Sequence, residues 1–186
     1  MSAARPRRVR LSEGEVVRIA AEHLEEQGYR VRVDLDGNDY FDLVARRGEE
    51  VGLVEAKVAD SRTVLTQALK RRGWADWTAV VLAGSRAAER LVERTERTRA
   101  RPVGVWSVVD GQVRVHRAAT AWSSPGAPDP YAELRERFRA VLDALDQGTI
   151  PSGVRWDGLM REIRRASGGR GFSEWRLDEP GTGPDA

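Results

Sequence analysis

The stretch that decides the reading is Tyr40-Phe41-Asp42-Leu43-Val44-Ala45-Arg46-Arg47-Gly48-Glu49-Glu50-Val51-Gly52-Leu53-Val54-Glu55-Ala56-Lys57. Two runs rich in aliphatic residues flank a short polar turn that contains glycine. This pattern predicts a strand over 40–46, a tight turn over 47–50 and a second strand over 51–58. The second run is apolar at both parities, as in a central strand buried on both faces. With Gly48-Glu49 as a two-residue turn, Arg47 opposes Glu50. Counting outward then sets Asp42 directly across from Glu55. Opposed side chains of this kind start with Cβ atoms about 4.5–5.5 Å apart. Glu55 and Lys57 are two apart and share a face of the strand.

Two carboxylates and an ammonium are thereby brought together inside apolar segments. Opposed like charges in a partly buried place cost free energy, and a cation relieves that cost. A hard divalent ion suits carboxylate oxygens: Mg²⁺ is the expected cofactor, with Mn²⁺ as a substitute. Such an ion polarises a water and a phosphate oxygen. Lys57 then has an electrostatic and positioning role. As a free base it would need a large fall from a pKa near 10.4 (roughly the value for an unperturbed lysine), and the neighbouring carboxylates oppose that fall.

Working outward, Ser12-Glu13-Gly14-Glu15 reads as a capping box opening a helix to about residue 27, ended by Gly28. A strand over 29–33 and a turn over 34–38 precede the deciding stretch. A helix over 63–72, a strand over 77–83, a helix over 87–99 and a strand over 103–109 follow it. Asp110-Gly111 is a hairpin signal, with the chain returning over 113–117. The order α-β-β-β-α-β-α-β-β predicts an α/β fold with a mixed central sheet flanked by helices. Residues 1–11 read as a basic arm, 12–117 as the core, 118–130 as a linker, 131–166 as a C-terminal helical extension and 167–186 as a flexible tail. Helices are expected over 131–147 and 156–165, either as an accessory module or packed on the core.

The chain has 186 residues, no cysteine, 32% charged residues and a formal charge of +2. Disulfide scaffolds, cysteine nucleophiles and thiolate metal sites are excluded. No targeting segment and no run long enough to span a bilayer is present, so a cytoplasmic protein without membrane association is expected. The only lysines are Lys57 and Lys70, against 29 arginines. Basic residues concentrate in Arg5, Arg7, Arg8 and Arg10 of the arm and in Arg62, Lys70, Arg71 and Arg72. Either group suits phosphate or forms a solvated face. His23 and His116 lack any metal-ligand spacing. Trp74, Trp77 and Trp106 are expected in the core. For Trp122, Trp156 and Trp175 packing is preferred over base stacking.

Asp42 followed by Glu55-Ala56-Lys57, in this order of elements, resembles the PD-(D/E)xK nuclease superfamily, which has the restriction-endonuclease-like fold. The likeness covers residues 12 to about 83. The resemblance implies a metal-dependent phosphodiesterase acting on DNA, with RNA not excluded by the residues themselves. It implies metal ligands in Asp42, Glu55 and the backbone carbonyl of Ala56, with Lys57 as the catalytic lysine. Phe41 stands where the motif has proline. Gln67 resembles a residue that orients the substrate or the lysine. Gln67, Lys70 and Arg71 share a side of their helix, and Lys70 or Arg71 is placed to hold an adjacent phosphate. The family also implies an acid early in the first helix; Glu15 is favoured over Glu22. A non-catalytic nucleic-acid-binding or assembly protein on the same fold is the alternative. A homodimer or a partner protein remains open.

Overall fold

A computed structural model describes residues 11–33, 41–59, 61–122 and 129–148. Its elements run α1 (Glu13–Glu26), β1 (Arg30–Val33), β2 (Leu43–Arg47), β3 (Glu50–Lys57), α2 (Ser61–Arg71), β4 (Trp77–Ala83), α3 (Ser85–Thr95), β5 (Gly104–Val109), β6 (Gln112–Arg117) and α4 (Ala132–Asp146). The strands form a single six-stranded sheet in the order of the chain. Pairings are antiparallel except for β3–β4 and β4–β5, which are parallel and connected through α2 and α3. The mixed α/β architecture expected from the element order is the one observed. Residues 1–10 of the arm, the turn at 34–38, the expected helix over 156–165 and the tail lie outside the described residues. Among the described residues no helix is long and apolar enough to cross a membrane.

The capping box forms as read. Glu15 N–H donates to Ser12 Oγ at 3.2 Å, and Ser12 N–H donates to Glu15 Oε2 at 2.7 Å. Gly28 adopts φ +82°, the left-handed turn that closes α1. Val16, Val17, Ile19, Ala20 and Leu24 of α1 then pack on one sheet face, against Leu43, Ala45, Val54, Ala56, Ala79 and Val81. Gly52 is required in the middle of β3, because a Cβ there would lie 2.0 Å from the Trp77 indole. The other face is covered by α2 and α3 over Val80, Leu82 and Val105, and by α4 over Val44, Val51 and Leu53. β3 is thus buried on both sides, as its apolar composition implies.

Boundaries shift by a few residues, for local reasons. The third helix ends at Thr95 instead of continuing to 99. Thr98 Oγ donates to Thr95 O at 3.0 Å and accepts from Ala100 N–H at 3.1 Å, so a hydroxyl takes over the backbone partners that another helical turn needs. The stretch read as a linker is packed along its first part. Thr120 N–H donates to Pro102 O and Trp122 N–H to Asp76 O, at 3.0 and 3.1 Å. Trp74, Trp77 and Trp106 are core residues, as expected. His116 shares a hydrogen bond of 2.8 Å with buried Ser107.

Of the two readings for the late helices, α4 takes the packed one. Phe138 and Leu142 insert against Phe41, Val44, Leu53 and Trp74. Charged groups rim that contact. Arg139 donates to Asp76 at 2.7 Å, Arg46 donates to Asp143 at 2.5 Å, and Arg32 pairs with Asp146. Asp76 also accepts Val51 N–H at 2.8 Å, so one carboxylate joins α4 to the start of β3. Phe138 is fully buried. Phe138→Ala should therefore cost about 3–5 kcal/mol in urea unfolding. A loss below about 0.5 kcal/mol, as for an ordinary surface change, would mean that α4 is not part of the core.

Candidate active site

The geometry begins with the register of β2 on β3. Arg47 pairs with Glu50, Val44 with Leu53 and Leu43 with Val54, around the turn at Gly48-Glu49. One step further, Asp42 stands across from Glu55. It does so just beyond the end of β2, because its side chain replaces the next backbone rung. Asp42 Oδ2 accepts Ala56 N–H at 2.6 Å. Val44 and Leu53 belong to the face under α4, and alternation carries Asp42, Glu55 and Lys57 to that same face. The group sits at the carboxyl end of β3, where the chain turns into α2.

Glu55 is 3% exposed. Its Oε1 accepts from Arg71 Nε of α2 at 3.3 Å. Burial pushes its pKa up to about 8; Arg71 and Lys57 pull the other way, and Asp42 adds to the rise. Desolvation outweighs the ion pair, so in the metal-free protein the carboxyl is largely protonated at neutral pH. The guanidinium can donate to it in either state. Asp42 is also raised, by burial first and by Glu13, against the Ala56 N–H, Lys57 and Arg71. Lys57 is pulled down by burial, but Glu13, Asp42 and Glu55 outweigh that and leave it above its ordinary value. Its amine therefore keeps its proton at neutral pH, which fits an electrostatic role better than that of a free base.

The acid that α1 brings to the site is Glu13, not Glu15. Lys57 Nζ donates to Glu13 Oε1 at 2.5 Å. Glu15 is held by Ser12 in the capping box, which keeps its pKa low, and Glu22 pairs with Arg18 in solvent. The sequence reading followed the resemblance to an acid early in the first helix and weighed Glu15 and Glu22, so Glu13 was passed over. The first residue of α1 instead reaches past the end of the sheet. The available signal was an acid directly after the N-cap, on the helix end nearest the carboxyl end of β3.

The residues of α2 divide. Arg71 turns inward, its side chain only 12% exposed, and donates to Glu55, so in this structure its guanidinium lies on a carboxylate at the site. Lys70 is exposed. Gln67, one turn before Arg71 on the same side, has its Oε1 buried with no hydrogen-bond partner among the described residues. Buried polar atoms are rarely left unpaired, so this one marks a place where a donor belongs.

Among the described residues no group of three or more His, Cys, Asp or Glu side chains could hold a metal unaided. Among the described residues, however, none donates a hydrogen bond to Asp42 Oδ1 or Glu55 Oε2. Two carboxylates with water and phosphate oxygens are a usual arrangement for Mg²⁺, so the residues fit such an ion. Ala56 lies between them, its N–H on Asp42 and its carbonyl the third candidate ligand.

No protein-family model matches the chain, and no curated protein matches it. Among solved structures, one match is the SPO1766 protein of unknown function from Silicibacter pomeroyi. It has 16% sequence identity and a TM-score of 0.46, over 78% of this chain and 97% of that one.

Proposed function

We propose that this protein is a divalent-metal-dependent nuclease of the PD-(D/E)xK class, with a restriction-endonuclease-like core, that hydrolyses phosphodiester bonds in DNA. The observation that carries the reading is the buried Glu55 carboxyl opposite the half-buried Asp42, each with one oxygen that accepts from no described residue, and Lys57 two residues along the same strand face. A structural role does not require two opposed carboxyls at such a place. A cation between them removes the conflict.

In this reading Asp42 and Glu55, with the Ala56 carbonyl, hold Mg²⁺ or Mn²⁺. The bound ion supplies positive charge to a phosphate oxygen and lowers the pKa of a water. Lys57, kept protonated and aimed by Glu13, meets the negative charge that builds on the phosphate. Gln67 Oε1 would accept a hydrogen bond from the attacking water, which orients its lone pair toward phosphorus. The water oxygen bonds to phosphorus and loses one proton to solvent, one P–O ester bond breaks, and the leaving alkoxide takes up a proton from solvent, so that one water is consumed and one alcohol released. With the ion on Glu55, the Arg71 guanidinium beside it would exchange that carboxylate for a phosphate oxygen. A DNA substrate also agrees with a cytoplasmic location.

One observation favours the non-catalytic alternative, a nucleic-acid-binding or assembly protein. Arg71 already puts a cation on Glu55. Calorimetric titration with Mg²⁺ and Mn²⁺, together with cleavage of plasmid and linear DNA and of RNA, separates the two. The nuclease reading expects saturable binding of the ion and cleavage that Asp42→Asn abolishes. No binding and no cleavage of any of these substrates would remove it in favour of the alternative.

A further inference from the structure

A cavity of about 200 Å³ opens on the α1 face of the sheet, at the end away from Asp42 and Glu55. Its floor is Leu24, Tyr29, Trp77 and Trp106, all of them buried. The rings brace one another. Tyr29 meets Trp77 edge to face at 5.7 Å, Trp106 lies 6.1 Å from Trp77, and His23 stands edge to face against Trp106 at 5.9 Å. At the mouth, Ala118 and Ala119 are small, and Val115 is one of two exposed large hydrophobic residues among the described residues. The polar groups there are acceptors. Glu50 Oε2 accepts from the Tyr29 hydroxyl at 3.1 Å and from Arg47 Nη2 at 3.0 Å, and no described residue donates to its Oε1. Gln27 Nε2 lies 2.7 Å from His23 Nε2, and no described residue donates to Gln27 Oε1. Glu50 is the one acid that lines the cavity, and no lysine or arginine lines it.

We propose that this cavity binds a small organic cation: a planar aromatic ring that carries a primary ammonium on a short arm. The proposal is independent of the nuclease reading, whose residues lie on the other face of the sheet. Size sets the first limit. Drug-sized ligands fill about 300–1,000 Å³, so this cavity takes one ring system and a short arm. The floor sets the second. Indole and phenol rings take an apolar ring by stacked or edge contacts, and their faces attract positive charge. Charge decides the rest. The carboxylate and amide oxygens at the mouth both take donors, and an ammonium has three to offer. An anion would face Glu50, and a neutral ring would gain the floor alone. The chain already displays this chemistry beside the cavity: the Arg47 guanidinium lies 4.4 Å from the centre of the Tyr29 ring and donates to Glu50. A free arylalkylamine and the amino-terminal aromatic residue of a peptide share the required groups.

The experiment titrates the isotope-labelled full chain with tryptamine, the peptide Trp-Gly-Gly, neutral skatole and anionic indoleacetate, and follows the indole N–H signals by NMR. Tryptamine or the peptide should shift the Trp77 and Trp106 signals saturably and leave that of Trp74, on the other face, in place. Skatole should bind about tenfold more weakly, and indoleacetate should not bind. Glu50→Gln should weaken the cation about tenfold and leave skatole unchanged. Gln27→Ala, at the exposed rim, should weaken the cation severalfold. The Trp74 signal reports whether each variant folds; if Glu50→Gln disturbs it, the wild-type comparison of tryptamine with skatole decides. Tight binding of the peptide assigns the site to an amino terminus, and binding of tryptamine alone assigns it to a free amine. No saturable shift with either cation, equal affinity for skatole, or full affinity in a folded Glu50→Gln variant overturns the proposal. None of these outcomes bears on the Asp42–Glu55 site, which the cleavage assays test separately.

Discussion

Glu55→Gln should make the metal-free protein more stable than the wild type at alkaline pH and leave the two alike near pH 5. The physical reason is linkage. Burial raises the Glu55 pKa from an ordinary 4.5 to about 8 in the folded protein. The neutral carboxyl is the form that folding favours, so its contribution is fully present below pH 4.5 and is lost as the pH rises to about 8. Each unit of pKa difference corresponds to about 1.4 kcal/mol, which sets a ceiling of roughly 5 kcal/mol. Glutamine keeps the shape, stays neutral at every pH, and still offers Arg71 an oxygen. Urea unfolding in EDTA at pH 5, 7 and 9 is the measurement. Wild type and variant should diverge between pH 5 and 9, and parallel profiles would show that Glu55 is not a buried neutral acid. The same group governs metal binding. A divalent ion must displace the Glu55 proton, so at pH 6–7 binding should release close to one proton per ion, read as a buffer-dependent calorimetric heat. The variant should lose both the ion and the proton release.

Lys57→Ala should lower the rate of metal-dependent cleavage by about 10²–10³. Unlike Glu55→Gln, it should leave ion binding intact or tighter, because it removes a competing positive charge beside the carboxylates. The ammonium lies at the mouth of the site, its side chain 28% exposed and held by Glu13 at 2.5 Å. Held above its ordinary pKa, it should produce no inflection near pH 7 in the cleavage profile. Glu13→Gln keeps the lysine and loosens its aim, and a loss of about tenfold is expected. Single-turnover cleavage with saturating Mg²⁺ separates these outcomes from binding. Full activity in Lys57→Ala would dismiss the lysine, and an unchanged rate in Glu13→Gln would leave Glu13 a surface pair.

The deciding hairpin was legible because strand alternation has a period of two and Gly48-Glu49 admits one tight turn. Those two facts set the register, and the register set Asp42 against Glu55. The capping box was legible for a similar reason: Ser12 and Glu15 satisfy each other within four residues. The docking of α4 was not legible. Its apolar stripe fits an accessory module or the core equally well, and only Asp76 and the sheet face of Val44 and Leu53 that α4 covers select the core. Glu13 and the inward turn of Arg71 were hidden likewise. A rotation of one residue on a helix decides whether a charge meets solvent or a carboxylate, and that rotation is set by packing.

By itself, then, the chain of residues determined what adjacent segments do to one another: the order of elements, the pairing of β2 with β3, and an acid pair with a lysine on one strand face. Tertiary packing decided which distant groups complete that cluster, bringing Glu13 from α1 and Arg71 from α2, and how deeply Glu55 is buried. Local pairing follows from backbone periodicity and short loops. Burial and its electrostatic consequences depend on what covers the sheet, and that is supplied by segments far away in sequence.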